Sequence, residues 1–228
     1  AELQKYFVPE GNTTSESILL RLCSSLQNSG MMHNSIKFND RNNPANRAII
    51  ESVMCGYNTK AAAAKYDDWQ SIYNAMVAAG IVDNGIGEKK ETNWEKYCRG
   101  LYDGIHFLTD ESGEQIIRNL AAVSVLTDKE IREIKTISTK IHGLGFALTC
   151  DWLKECGCVW LAKPDVHING VIKHLKNVDK ITDDEVLKEM FSWAELVRTN
   201  NTDTDATAYK LDKIIWLLCT GEFYLDDG

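Results

Sequence analysis

The stretch His142 to Ile168, HGLGFALTCDWLKECGCVWLAKPDVHI, holds the residues best spaced for chemistry. Gly143 and Gly145 flank Leu144 between a predicted helix from Asp128 to about Lys140 and another from Phe146 to about Glu155. Glycines there permit positive φ and close approach of a second backbone. The turn also ends at a helix N-terminus, where unpaired N–H groups favour an anion. A phosphate suits such an element. Its candidate contacts are the backbone of Gly143, Leu144 and Gly145, with His142 and Lys140 beside them. Twenty residues after Gly145 stands Asp165. Pro164 prevents a helix from running back through this point, so Asp165 falls at the start of a third helix, Val166 to Leu175. A carboxylate so placed can cap that helix, or can stabilise positive charge and take a proton.

The elements that must position these residues are helices. Thr13-Glu16, Thr92-Glu95, Thr127-Glu130 and Thr182-Glu185 each fit a capping box, and Asn43-Pro44 marks a fifth helix start. Apolar stripes at helical spacing follow: Ile18, Leu19, Leu22 and Leu26; Trp94, Tyr97, Leu101, Ile105 and Leu108; Ile131, Ile134 and Ile137; Val186, Met190, Phe191 and Ala194; Leu211, Ile214, Ile215 and Leu218. No convincing period-two alternation competes with them, so the expected fold is all-α. The polar stretches Asn39–Asn43, Val82–Asn93 and Asn200–Thr204 read as loops. Two lobes are expected. Residues 44–160 would form a central lobe ending in the hairpin (about 128–155). Residues 1–43 and 161–228 would form the second, with the last stripe a buried helix stopped at Gly221.

Composition narrows the function. The chain has 228 residues, 44% of them hydrophobic, and six tryptophans, which supports a globular core. No apolar run is long enough to span a bilayer. The segment AELQKYFVPEGN lacks the basic-then-apolar layout of a secretory signal, so a cytoplasmic, nucleoid or nuclear protein is expected rather than a secreted one. Seven cysteines without CxxC spacing fit reduced thiols rather than a zinc or redox site. Asp103 and His106 share a helix face but lack a third ligand, so no metal site is expected. A net charge of −8 excludes a broadly basic nucleic-acid coat protein while allowing a local basic groove.

The hairpin, the spacing and Lys163-Pro164-Asp165-Val166-His167-Ile168 together resemble the helix-hairpin-helix superfamily of base-excision DNA glycosylases. There a Leu-Pro-Gly-Val-Gly hairpin precedes Val-Asp-x-His-Val by about this distance. The match covers about 45 residues, Thr127 to Leu175. The resemblance implies a two-lobed helical bundle closing on double-stranded DNA that contains a modified base. It implies a phosphate held at the hairpin, and Asp165 facing the sugar of a flipped nucleotide. Members that also cleave the strand carry a Lys two residues after the second hairpin Gly. Here that position is Ala147, which implies a monofunctional hydrolase using water; a monomer is the expected state. Lys154, roughly 10 Å further along the same helix, is a candidate substitute nucleophile, with a plain surface lysine the competing reading. Trp152 and Trp160 are candidates for a stacking base pocket, with core packing the competing use. His142 replaces the hairpin Pro. Only Cys219 follows Asp165, so no iron–sulfur cluster is expected, although the hairpin is compatible with a structural monovalent or divalent ion. No other cofactor is implied. Lys140, Lys163 and Lys173 are candidate rim contacts to phosphate, and Asn169 another. Two further readings stay open: a non-catalytic helix-hairpin-helix DNA-binding protein, and a helical adaptor in which Asp165 is only a cap.

Overall fold

The computed structural model describes residues 14–82, 90–110, 112–200 and 205–221. Among them the chain is all α-helical, with no strand. The order is α1 (Ser15–Leu26), α2 (His33–Ile36), α3 (Pro44–Val53), α4 (Thr59–Lys65), α5 (Trp69–Ala78), α6 (Asn93–Asp110), α7 (Gly113–Ala121), α8 (Asp128–Lys140), α9 (Phe146–Glu155), α10 (Val166–Lys176), α11 (Asp183–Asn200) and α12 (Ala208–Thr220).

Local chemistry starts these helices where the sequence expects. Thr92 and Glu95 exchange bonds, with the Glu95 amide donating to Thr92 Oγ1 at 3.2 Å and the Thr92 amide to Glu95 at 2.8 Å. Thr127 with Glu130 and Thr182 with Glu185 repeat the pattern ahead of α8 and α11. At α1 the cap is Thr14, whose hydroxyl accepts from the Ser17 amide. Thr13 lies outside the described residues, as do most of the expected loop after Val82 and residues 201–204.

Packing centres on α6. Its stripe of Trp94, Tyr97, Leu101, Ile105 and Leu108 is buried, and the helix packs against α1, α4, α5 and α7. Glycine makes the closest of these contacts possible. A Cβ at Gly104 would stand 2.1 Å from Leu22, and one at Gly100 would stand 2.6 Å from the His142 carbonyl. Gly100 therefore sets how closely α6 approaches the hairpin.

Two apolar clusters result. The larger runs from Ile18 to Leu161 and takes in Leu187. The smaller holds Ala162 of the segment before α10, with Ile168, Ile172, Val186, Met190, Ala208 and Ile215 on α10, α11 and α12. The expected lobe assignment is corrected at the N-terminus: α1 joins the larger core because Ile18, Leu19, Leu22 and Leu26 fill the space between α6 and α9. A second correction concerns α12. Ile214 and Leu218 are exposed, whereas Asp212 and Lys213 are buried at 5% and 6% exposure. Ion pairing, described below, turns the charged face inward.

Gly100→Ala is expected to destabilise the protein by about 1–3 kcal/mol in urea denaturation, the usual cost of overpacking. Gly170 of α10 faces open space, so Gly170→Ala should raise stability by about 0.4–1 kcal/mol.

Candidate functional site

Helix α8 ends as Ile141 turns extended, and the chain reverses within four residues. The Leu144 amide donates to the Ile141 carbonyl at 3.1 Å, closing the turn. Gly143 has φ +78°, and a Cβ there would also meet the Lys96 side chain at 3.1 Å. Both facts favour glycine. Leu144 is buried between the helices as a plug. Gly145 is the N-cap of α9, with no side chain to satisfy the helix start. The amides of Gly143, Gly145 and Phe146 have no acceptor among the described residues, so this corner presents a set of backbone donors.

Charged groups surround the corner in a way the sequence did not show. The His142 amide donates to Asp103 Oδ2 at 2.9 Å, and its ring nitrogen Nε2 lies 3.0 Å from Glu91. Glu91 also pairs with Arg99 at 3.0 Å. His142 is thus occupied by acidic neighbours rather than turned toward an anion. The nearest lysine is instead Lys96 of α6, whose aliphatic stem crosses Gly143 while its Nζ lies 3.7 Å from where a Cβ of Gly30 would stand, and which has no ion-pair partner among the described residues. No sequence signal marked Lys96, because its proximity to the hairpin depends on how α6 packs. Lys140 is exposed on the last turn of α8.

Asp165 is the N-cap of α10. Its Oδ1 accepts from the amides of His167 at 3.0 Å and Ile168 at 3.2 Å. The other carboxylate oxygen has no partner among the described residues. One turn on, the buried Asn169 Oδ1 likewise lacks a partner among them. His167 packs its ring edge-on against Trp216, with centroids 4.9 Å apart. A shallow groove of 380 Å³ opens beside it, lined by Val166, His167, Gly170, His174, Leu175 and Cys219.

Trp152 and Trp160 do not line an open pocket. They are 0% and 5% exposed, and their indole N–H groups donate to the carbonyls of Ile18 at 3.0 Å and Leu120 at 2.8 Å. They are core residues with satisfied donors. Lys154 is also withdrawn from solvent, at 3% exposure. Its ammonium donates to Asp212 Oδ1 at 3.0 Å and lies 3.4 Å from Asp151. Burial alone would lower its pKa, but Asp212, Asp151 and Glu155 outweigh that and raise it above the ordinary 10.5. A Schiff-base nucleophile needs a neutral, accessible amine, and Lys154 is neither. The same cluster contains Lys213, whose Nζ donates to Glu155 at 2.8 Å, and Asp212 Oδ2, which accepts from the Lys163 amide at 2.6 Å.

Among the described residues no group of three His, Cys, Asp or Glu side chains is arranged to hold a metal ion. His106 pairs with Asp110 at 2.6 Å, and Asp103 is engaged by the hairpin. The seven cysteines are free thiols. Burial pushes the Cys23 thiol up to about 12, so it is no nucleophile at neutral pH.

No protein-family model matches the chain, and neither characterised proteins nor solved structures give a significant match.

The ion cluster makes stability pH-dependent. Burial works against the Asp151 carboxylate, yet Lys154, Lys163 and Lys213 hold its pKa below the ordinary 3.8. A depressed folded-state pKa contributes stability above the unfolded value, lost as pH falls through the folded one. Lys154→Met removes the shared cation and should cost about 3–5 kcal/mol at pH 7. Without that cation the Asp151 pKa rises in the folded state, so the deficit should shrink at pH 4. Urea denaturation at both pH values measures this, and equal deficits would refute the ion-pair account.

Proposed function

We propose that this protein is a DNA base-excision glycosylase that hydrolyses the N-glycosidic bond of a flipped, modified base and leaves the strand uncut. One observation carries the reading: Asp165 uses one oxygen to cap α10 while the other has no partner among the described residues, twenty residues beyond a glycine hairpin in which the Gly143, Gly145 and Phe146 amides likewise have no acceptor among them. The carboxylate would stabilise the oxocarbenium-like sugar as the base departs and take a proton from the attacking water. The open amides at Gly143, Gly145 and Phe146, with Lys96 beside them, would hold a phosphate of the damaged strand. Ala147 stands where strand-cleaving relatives in the resembled superfamily carry lysine, and Lys154 is locked in carboxylates. Water is then the nucleophile.

The test uses duplex oligonucleotides carrying oxidised, alkylated, deaminated and bulky modified bases. Strand breakage should appear only after alkali treatment. Asp165→Asn should lower the rate by about 10²-fold or more while DNA affinity stays within about 3-fold. Full activity in that variant would remove the assignment. Salt-dependent DNA binding by the native protein, without base release from any substrate, would identify a non-catalytic DNA-binding protein instead.

The phosphate contact has its own measurement. Lys96→Ala should weaken DNA binding and reduce the slope of log affinity against log salt by about one. Lys96→Met keeps the stem over Gly143, so it should weaken binding in the same way while leaving the melting temperature unchanged.

A further inference from the structure

We propose that Asp212 of α12 is a positioning residue for Asp165, acting through the Lys163 peptide. The inference rests on the base-excision reading for what Asp165 does, but the geometry itself is independent of that reading. The segment from Cys156 to Asp165 links α9 to α10 without a helix of its own. Its last three residues, Lys163-Pro164-Asp165, must be held if the free carboxylate oxygen is to keep one direction. Pro164 fixes its own φ but carries no N–H to anchor the segment.

Asp212 supplies the anchor. Its Oδ2 accepts from the Lys163 amide at 2.6 Å, and the Lys163 carbonyl accepts from the Asp165 amide at 2.8 Å. The Lys163 residue is therefore held at both its backbone groups, one by α12 and one by Asp165 itself. The other oxygen of Asp212 is held by Lys154 of α9 at 3.0 Å. Lys154 lies 3.4 Å from Asp151, whose Oδ2 accepts from Ser25 of α1 at 3.3 Å. A continuous polar path thus runs from α1 through α9 and α12 to Asp165. Asp212 is 5% exposed, and leaving it or Lys154 unpaired there is costly. An ion pair needed only for stability could bridge α9 and α12 anywhere along their contact. This one ends on the peptide two residues before the carboxylate.

Two double variants separate positioning from simple stabilisation. Lys154→Met with Asp212→Asn removes the ion pair but leaves an amide oxygen to accept from the Lys163 N–H. Lys154→Met with Asp212→Leu removes both. Amide hydrogen exchange is followed at Lys163, His167 and Ile168, with Ile172 in the middle of α10 as internal reference. Relative to Ile172, the three amides should exchange about ten-fold faster in the Leu variant than in the Asn variant. On a processed lesion the Leu variant should lose about ten-fold in kcat with KM unchanged, and the Asn variant should retain activity. Equal exchange in the two variants, or equal kcat, would overturn the positioning role. Absence of base release by the native protein on every lesion would overturn the base-excision reading, while the exchange comparison would still decide whether Asp212 holds the Asp165 segment.

Discussion

The buried ion cluster of Lys154, Asp151, Asp212, Glu155 and Lys213 is the constraint on which the rest of the arrangement depends. Five charges withdrawn from water would be ruinous singly; each here faces an opposite charge, mostly within about 3 Å. Their pairing dictates which face of α12 turns inward, and that choice brings Ala208 and Ile215 against α10 and α11. It also sets the end of α9, because Lys154 and Glu155 occupy its last turn. Beyond them Cys156 and Gly157 close the helix, with the Cys158 amide donating back to Leu153 at 3.1 Å and Gly157 at φ +101°. The chain then passes directly from the ion cluster to Asp165.

The hairpin depends on a second constraint, the close approach of α6. Gly100 admits the His142 carbonyl, Asp103 binds the His142 amide, and Lys96 lies over Gly143. One helix thus supplies a contact surface, an acceptor and a cation to a turn that begins about forty residues later in sequence. The two constraints meet at α9, whose N-terminus belongs to the hairpin and whose C-terminus belongs to the ion cluster. Stiffness in this short helix relates the donor corner to the capping carboxylate. Surface pairs such as Lys135 with Asp184 and Lys188 with Asp128, each at 2.7 Å, tie α8 to α11. Exposed pairs contribute about 0–1 kcal/mol each and cannot replace the buried cluster.

How much was legible follows from the range of each interaction. Capping at Thr92, Thr127 and Thr182 depends on residues three apart, and the bonds form as the spacing predicts. The hairpin helices, Asp128–Lys140 and Phe146–Glu155, are bounded by a capping box, a positive-φ glycine and a glycine stop, all local signals. Stripes on α1, α6 and α8 found the core because each opposes an apolar neighbour. Hydropathy failed on α12, where the rule that charged residues face water is reversed by partners on another helix. Tryptophan identity could not say whether Trp152 and Trp160 stack on a ligand or fill a core. The answer came from carbonyls at Ile18 and Leu120, far away in the chain.

The sequence by itself determined an all-α chain, the hairpin between Lys140 and Phe146, and Asp165 as the cap of the helix after Pro164. Each of these follows from backbone φ/ψ limits and hydrogen bonds closed within a few residues. Tertiary structure alone decided that α1 belongs to the larger core, that His142 meets Glu91 while Lys96 reaches the hairpin, and that Lys154 is spent on Asp212 and Asp151. Apart from the local Asp151–Lys154 pair, those outcomes join residues some 46 to 134 positions apart. Which partner a buried charge finds is set by how whole helices pack, and no local pattern of residue types encodes it.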